Sequence, residues 1–432
     1  MKAFVDYSLK NRVRTIFGKD AVRLLPELLA SLGCHNPLIV MSNGAALIGD
    51  KDLLVSGWEH PTQTHVSIPS SFSILSSEEI TSETTRELTR LFKKQGNDGI
   101  VAVGGGTVMD LAKTVKLSIH GIDATDENNE GFTLQVFDTP CPLILIPTTI
   151  GSGSGATQVA YLNDREHGRI LRFEHFNLLP DVTIIDPKMT KAVSSLQTAM
   201  GVAAILGRAM ESLTSTLSVQ LTETYALQAI KLLQKHAFRI VHSPHDLEAR
   251  EGIAVASQMA GYAASTTKAG IAHACAIVIE KFVGIPYGHC MMILLPHALR
   301  YNLRGNEMIL AKVSSEIEVS KDDGTEDAST TEYAALATID WVSQFFDSLT
   351  KSLSTPAPMR FHDIRKTEGK ERLIRPEQLE TLAQAIHNSV DLLTSRHTAN
   401  TQDIIRVLEA AYWGYPLDQD MVRYKFKQDL RR

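Results

Sequence analysis

Ten residues at 104–113, GGGTVMDLAK, carry the clearest binding chemistry in this chain. They follow an apolar run at 99–103 that is typical of a buried strand, and they lead into a predicted helix. Glycines at such a junction let the backbone approach a pyrophosphate closely, and the free N–H groups at the helix start favour negative charge. A plain structural turn is the alternative, because glycine clusters also form turns that bind nothing.

A second loop with binding character is PTTIGSGS at 147–154, which follows the apolar run at 143–147. Ligands of open α/β sheets bind beyond the carboxyl ends of the strands. The hydroxyl groups and small residues of this loop suit contacts with phosphate and ribose. The alternative is a polar loop that caps a helix. Two such loops at two strand ends favour a nucleotide site.

Three histidines, His273, His289 and His297, lie close together in the sequence. Three imidazoles can hold zinc or iron. The carboxylate near them in the sequence is Glu280, so the potential ligand set is poor. For His297, a position at a helix end or in the core is the better interpretation.

The composition is that of an ordinary soluble globular protein, with 432 residues, 44% of them hydrophobic and 21% charged. A net charge of -6 gives no indication of a nucleic-acid partner. The four cysteines show no C-x-x-C spacing, which favours thiols in a reducing compartment. The start of the chain has no apolar signal region, and no run of about 18 apolar residues occurs. We therefore expect a cytoplasmic protein that does not bind membranes.

Strand and helix signals alternate in the first half of the chain. Short apolar runs at 37–41, 99–103 and 143–147 predict buried strands, whereas 77–94 and 107–117 predict helices. Strands that alternate with helices imply a parallel sheet covered on both faces.

After residue 187 the strand signals fade. The remaining chain has mainly helical patterns, at 226–241, 247–264, 271–283 and 401–413. We predict an α/β dinucleotide-binding domain at 1–187 and an all-α substrate domain at 188–432.

The two loops resemble the signatures GGGS-x-x-D-x-A-K and P-T-T-x-G-T-G-S-E of the iron-containing alcohol dehydrogenase family, whose fold is shared with dehydroquinate synthase and glycerol dehydrogenase. Further matches run in family order, from about residue 12 to residue 412. They include TIFG at 15–18, LPD at 179–181, DP at 186–187, the segment 270–289 and LLPHALRYN at 294–302. The resemblance implies that the α/β domain binds NAD or NADP.

The resemblance also implies which residues hold the cofactor. In the first loop these are Gly104, Gly105, Gly106, Thr107 and Asp110, and in the second they are Thr148, Thr149 and Ser152. Gly155 replaces the acidic residue that closes the second signature. Ser42 stands where NAD-preferring relatives often carry an aspartate on the adenosine ribose. A 2′-phosphate would meet no negative charge there, so we expect NADP to be tolerated or preferred.

Most metal ligands of the family are missing. Its members carry an aspartate and a histidine four residues apart on one helix, followed by two further histidines. Here the segment 194–215 contains neither Asp nor His, and Tyr287 replaces the last histidine. Alignment on Glu211 places Arg208 at the first histidine position, so His273 alone is retained. We therefore expect no catalytic metal.

Three residues are candidates for the metal's role, which is to polarise the reacting oxygen at the nicotinamide. Arg208 would bring a permanent cation, Tyr287 could donate a proton, and His273 is the best acid–base candidate. Each has a structural alternative. Arg208 could pair with Glu211 or another acid, Tyr287 could be a pocket wall, and His273 could be a satisfied core histidine.

The leading hypothesis is a metal-independent NAD(P)-dependent oxidoreductase, a carbonyl or enoyl reductase of the alcohol dehydrogenase type. Its substrate would be a small organic molecule, and a homodimer is the assembly we consider. The alternative is a non-redox cyclase, isomerase or lyase of specialised metabolism on the same scaffold. A silent binding or regulatory subunit is a third hypothesis. The intact glycine loop favours the first, whereas the missing metal ligands favour the others.

Overall fold

The computed structural model describes residues 13–42, 72–75, 81–122, 131–132, 140–164, 169–319, 330–366, 371–387, 389–415 and 417. These residues belong to two compact units. One lies within Met1–Ser194 and Pro244–Thr266, and the other lies within Ser195–Ser243 and Thr267–Arg432. The predicted fold class, an α/β N-terminal region with a parallel sheet followed by a helical region, is confirmed.

The strands of the first unit form two sheets. Their bounds are β1 Arg14–Phe17, β2 Pro37–Ser42, β3 Phe72–Leu75, β4 Gly99–Gly104, β5 Gly131–Phe132, β6 Leu143–Pro147, β7 Val159–Asp164, β8 Arg169–Glu174 and β9 Val182–Ile185. Six of them pair in parallel in the order β1-β9-β6-β4-β2-β3. The helices α1 Leu25–Ser31, α2 Ser82–Gln95 and α3 Gly106–Ile119 connect its strands.

Both faces of the six-stranded sheet are buried. Along β4, Ile100 and Ala102 pack with residues of α2 and α3, whereas Val101 and Val103 pack on the opposite face with residues of α1. Side chains of a strand alternate between the two faces of the sheet. Because both faces are covered here, the central strands have continuous apolar sequences rather than alternating ones.

Strand pairing brings the two predicted binding loops to one edge of this sheet. Gly104, the last residue of β4, pairs with Pro147 at the end of β6. On the other side of β4, Met41 pairs with Val103, so the last residue of β2, Ser42, also lies at this edge. Parallel strands end at a common edge, and that edge is where ligands of such sheets bind.

The second sheet, in the order β5-β8-β7, was not predicted from the sequence. Its strands β7 and β8 are antiparallel, and residues of β7 alternate between half-buried and buried. Ala160 and Leu162 of β7 pack with Leu171 and Phe173 of β8 into the core under α2 and α3. The alternation over 159–164 was the available signal, but the polar and charged residues Asn163 and Asp164 at the end of the strand obscure it.

Helices make up the second unit. Their bounds are α4 Ser195–Thr214, α5 Gln220–His242, α7 Ile271–Val283, α8 Tyr287–Tyr301, α9 Glu307–Glu316, α10 Thr331–Lys351, α11 Leu379–His387 and α12 Thr401–Trp413. The remaining helix, α6 Leu247–Thr267, lies almost wholly in the first unit. The predicted first and last residues of α7 and α12 are confirmed. Among the described residues, every helix is too short or too polar to cross a lipid bilayer.

Candidate active site

Lack of space explains the glycines at 104–106. A Cβ at Gly104 would lie 2.8 Å from the Val108 side chain, and a Cβ at Gly106 would lie 3.0 Å from the Ser152 Cβ. Gly105 takes the extended position before α3 and has no side chain with which to cap it. The first N–H groups of a helix need partners from outside the helix. This turn therefore fits the pyrophosphate of a dinucleotide.

The second predicted loop packs directly on this turn. The Thr148 N–H donates a hydrogen bond of 3.0 Å to the Gly104 carbonyl. A Cβ at Gly105 would lie 3.1 Å from the Thr149 hydroxyl oxygen. Gly151 has a φ of 95°, a conformation that glycine adopts without strain, so the chain can turn sharply within the loop. The structure thus brings the two loops together.

The other predicted cofactor residues occupy different positions around this turn. Thr107 is half-buried in the first turn of α3, and Ser42 is half-buried at the end of β2. Asp110 lies one turn further along α3, where a carboxylate oxygen accepts a 3.4 Å hydrogen bond from the Tyr161 N–H of β7. The structure therefore places Asp110 against the smaller sheet.

Lys113 fixes the end of the second loop, a role that sequence reasoning missed. Its ammonium group is fully buried and donates to the carbonyls of Ser154, Thr157 and Val159 at 2.8, 2.8 and 2.9 Å. Burial lowers the pKa of Lys113 to about 8, although the nearby Asp110 carboxylate opposes the shift. The available signal was the lysine that closes the GGGTVMDLAK segment.

In the second unit, His273 and Tyr287 form a hydrogen-bonded pair. His273 lies in the first turn of α7 and Tyr287 begins α8. The His273 Nδ1 lies 2.8 Å from the Tyr287 Oη, and the two rings meet edge to face. The Tyr287 N–H donates a 2.9 Å hydrogen bond to Glu280, which fixes the start of α8 on α7. At this distance a proton can pass between the Tyr287 Oη and the His273 Nδ1.

Glu211 holds the backbone from which His273 projects. This buried carboxylate on α4 accepts hydrogen bonds from the N–H groups of Ala272 at 2.8 Å and His273 at 3.2 Å. A carboxylate at a helix N-terminus supplies the partners that the first N–H groups lack. Burial raises the pKa of Glu211 to about 7, although the backbone hydrogen bonds oppose the rise.

Arg208 lies one turn before Glu211 on α4 and is also buried, with 8% of its surface exposed. Burial raises the pKa of the Tyr287 phenol, and the positive charge of Arg208 is the largest effect that opposes this rise. The guanidinium therefore acts on the phenolic oxygen. The structure brings together Arg208, His273 and Tyr287, the three residues predicted from the sequence.

A fourth residue of this cluster, Asp391, was missed. Its Oδ2 lies 4.0 Å from the His273 Nε2. It belongs to the short 3₁₀ turn Val390–Thr394, and 3% of its surface is exposed. No motif pointed to this residue, because more than a hundred positions of sequence separate the two side chains.

The residues around His273 do not fit the divalent metal that the family resemblance implies. Tyr287 already occupies the Nδ1 side of the imidazole, and a guanidinium offers no lone pair to a cation. Within the part of the chain that the structure describes, no three His, Cys, Asp or Glu side chains are grouped as a metal site requires.

The other two histidines have separate surroundings. The His289 Nε2 lies 2.6 Å from the Pro358 carbonyl oxygen, which makes this nitrogen a donor to the backbone. Burial lowers the pKa of His297 to about 4, and the charge of Arg300 adds to the effect. Burial also lowers the pKa of His289, so both histidines are neutral near pH 7, as is typical of structural histidines.

Family models match both parts of the chain. Residues 13–187 match the model of the iron-containing alcohol dehydrogenases, and residues 198–412 match the C-terminal domain of the Fe-containing alcohol dehydrogenase family. Among solved structures, an alcohol dehydrogenase from Oenococcus oeni superposes with a TM-score of 0.81 at 23% identity, over 92% of this chain and 98% of that one.

Sequence relatives agree with the family models. The probable alcohol dehydrogenase EutG of Escherichia coli (strain K12) is 38% identical over 211 residues, which are 49% of this chain and 53% of that protein. The match thus spans about half the length of EutG. A choline dehydrogenase of Bacillus subtilis (strain 168) is 29% identical over 343 residues, 77% of this chain and 80% of that protein. The chain belongs to the iron-containing alcohol dehydrogenase family.

Proposed function

We propose that this protein is an NAD(P)-dependent oxidoreductase that interconverts a carbonyl and an alcohol on a small organic molecule without a divalent metal. The observation that carries the proposal is the 2.8 Å hydrogen bond between Tyr287 and His273. The positive charge of Arg208 opposes the rise in the pKa of the Tyr287 phenol. These groups can donate a proton to the carbonyl oxygen and stabilise the negative charge that develops on it. In a metal-dependent enzyme, the metal ion stabilises that charge.

In the direction of carbonyl reduction, a reduced nicotinamide held by the glycine turn would supply the hydride that the carbonyl carbon needs. Tyr287 donates its phenolic proton to the carbonyl oxygen, and a protonated His273 replaces that proton through Nδ1. The product is an alcohol, and His273 is left neutral. Arg208 stabilises the negative charge that develops on the oxygen atoms during the transfer.

The protonation state of Tyr287 suits this role. Burial raises its pKa, so the phenol holds its proton near pH 7 and can act as the donor. When the proton leaves, the buried cation of Arg208 favours the phenolate. The same pair therefore serves both directions of the reaction.

The cofactor proposal rests on the first unit. The Gly104–Gly106 turn and the Thr148–Ser152 loop provide the close backbone approach and the hydroxyl groups that a dinucleotide needs. Because Ser42 is uncharged, we infer that NADP is preferred. The names of the relatives, which are alcohol and choline dehydrogenases, support hydride transfer as the reaction class.

The proposal is tested by an Arg208→Ala variant together with nucleotide titrations. We expect NADPH to quench the intrinsic protein fluorescence equally in wild type and variant. Turnover with a panel of carbonyl compounds should fall at least about a hundredfold in the variant, because one stabilising group for the oxyanion is lost. Lys351→Ala is the matched control, since it removes an exposed cation of the same unit.

Two results would contradict the proposal. If wild-type protein binds neither NADH nor NADPH, the redox function is wrong and a non-redox reaction on this scaffold becomes the better hypothesis. If Arg208→Ala retains full activity, Arg208 has no part in stabilising charge.

A further inference from the structure

Asp391 lies on the side of the His273 ring that Tyr287 does not occupy. Tyr287 contacts Nδ1, whereas the Asp391 Oδ2 lies 4.0 Å from Nε2. The three side chains thus form a row with the imidazole in the middle. A separation of 4.0 Å is longer than a direct hydrogen bond. Catalytic hydrogen bonds are often long before a substrate is bound.

The turn that carries Asp391 is fixed to the chain just before α7. The Thr394 hydroxyl donates to the Ala269 carbonyl at 2.6 Å, and the Thr216 N–H donates to the Thr394 carbonyl at 2.9 Å. Within the turn, the Asp391 N–H donates to the Ser389 hydroxyl at 3.3 Å. These contacts set the position of the carboxylate relative to His273.

The charge of Asp391 affects the pKa of two neighbouring groups. Burial is the main cause of the raised pKa of Tyr287 and of Glu211, and the Asp391 carboxylate adds to the rise at both. A carboxylate that is 3% exposed needs partners that offset its loss of water, and the imidazole N–H is such a partner. Among the described residues, the charged groups that act on the Tyr287 end of this row include Arg208, Glu211 and Glu280 besides Asp391.

We propose that Asp391 is a positioning residue that keeps the proton of neutral His273 on Nε2, and so leaves Nδ1 to exchange a proton with Tyr287. In a neutral imidazole one nitrogen donates and the other accepts, and a nearby carboxylate selects the donor. In alcohol oxidation, the substrate hydroxyl proton passes to the Tyr287 oxygen as the Tyr287 proton passes to Nδ1. An oxidised nicotinamide, when bound, would accept the hydride. This role rests on the proposed function.

An Asp391→Asn variant tests the role, because asparagine has the same shape and no charge. In protein labelled with ¹⁵N-histidine, the ring nitrogen shifts report which nitrogen carries the proton. We expect the Nε2–H form in wild type and an increased Nδ1–H population in the variant. We also expect kcat to fall roughly 10- to 100-fold, with KM and NADPH affinity changed by less than about twofold.

Two further variants make the test specific. Leu393→Ala alters an exposed residue of the same turn and should leave the tautomer and kcat unchanged. Asp391→Glu keeps the charge, so it should retain the Nε2–H form. Asp391→Ala also lacks the carboxylate, and it replaces Asp391→Asn if that variant does not fold. An unchanged tautomer in the variant that lacks the carboxylate would overturn the role of Asp391. A wild-type protein without turnover would instead refute the proposed function, since the tautomer is measured without substrate.

Discussion

At the scale of single residues, His273 is held through both its backbone and its side chain. Its N–H donates to Glu211 at 3.2 Å, and its ring bonds to Tyr287 at 2.8 Å. Arg208 and Glu211 occur on the same helix, but they act at different points. The Glu211 carboxylate binds the start of α7, whereas the charge of Arg208 acts on Tyr287. The helix α4 thus supplies both a fixed anchor for the histidine and a cation for the phenol.

Glu211 should make stability depend on pH. Its pKa is about 7 in the folded protein, against an ordinary value of 4.5, so the folded state holds an extra proton between these values. Its stabilising contribution is therefore full below about pH 4.5 and is lost as the pH rises through 7. We expect a Glu211→Gln variant to lose less unfolding free energy than wild type between pH 5 and pH 8.

Urea unfolding at several pH values measures this difference directly. Glu251→Gln, a substitution at an exposed glutamate of α6, is the control and should follow the wild-type curve. Parallel curves for wild type and Glu211→Gln would show that Glu211 does not titrate in this range.

Ser42 should determine the choice between the two nicotinamide cofactors. A Ser42→Asp substitution would place a negative charge at the carboxyl edge of the sheet, where a 2′-phosphate would be repelled. We expect NADPH affinity to fall about tenfold or more, with little change for NADH, because facing like charges cost several kcal/mol. Ser42→Ala is the uncharged control. If wild-type protein binds NADPH no better than NADH, the inference that Ser42 favours NADP is wrong.

At the scale of elements, the turn from β4 to α3 depends on close packing. The position that a Gly104 Cβ would take is 2.8 Å from the branched side chain of Val108, in the first turn of α3. A side chain at 104 must therefore push the first turn of α3 away from the sheet. Those same first N–H groups are the ones proposed to bind pyrophosphate.

A Gly104→Ala variant should lose both stability and nucleotide affinity. Overpacking of this kind costs about 1–3 kcal/mol. The double variant Gly104→Ala, Val108→Ala should recover part of the NADPH affinity, since it removes the two Val108 methyl groups at 2.8 and 3.1 Å and leaves only the contact with the Cβ. Titration of Gly104→Ala, Val108→Ala and the double variant gives the coupling between the two positions. If the effects of the two substitutions on NADPH affinity are additive, the contact with Val108 is not the cause of the loss in Gly104→Ala.

Lys113 connects α3 to the second loop, and its loss should disturb both. A Lys113→Met variant fills the same space but leaves three buried carbonyls without their shared donor. We expect the unfolding free energy to fall by about 3 kcal/mol and NADPH to bind more weakly. Lys94→Met, at an exposed position of α2, is the control. An unchanged Kd for NADPH would show that the loop keeps its shape without Lys113.

At the scale of the whole molecule, the sequence was most informative where one local pattern decides the structure. The continuous apolar runs at 99–103 and 143–147 could arise only from buried strands or helices, and their short length favoured strands. The strand-to-helix glycines then located the first loop. Periodic apolar residues likewise gave the bounds of α7 and α12.

Features that depend on distant parts of the chain could not be predicted in this way. Asp391 meets His273 only because the 3₁₀ turn is tied to Ala269, and no local pattern encodes that contact. The small sheet was missed because β7 and β8 carry charged residues. Arg208 and Tyr287 were identified as candidates by alignment with family positions, and the structure supplied their contacts.

The central claim is that this member of an iron-containing family transfers hydride without a divalent metal. The most direct test measures single-turnover oxidation of bound NADPH by carbonyl compounds, with the metal content of the same sample determined by mass spectrometry. Turnover by protein that contains well below one equivalent of metal, and that is unaffected by EDTA or by added Fe²⁺ or Zn²⁺, is the predicted result. Activity that rises in proportion to bound metal would contradict the claim.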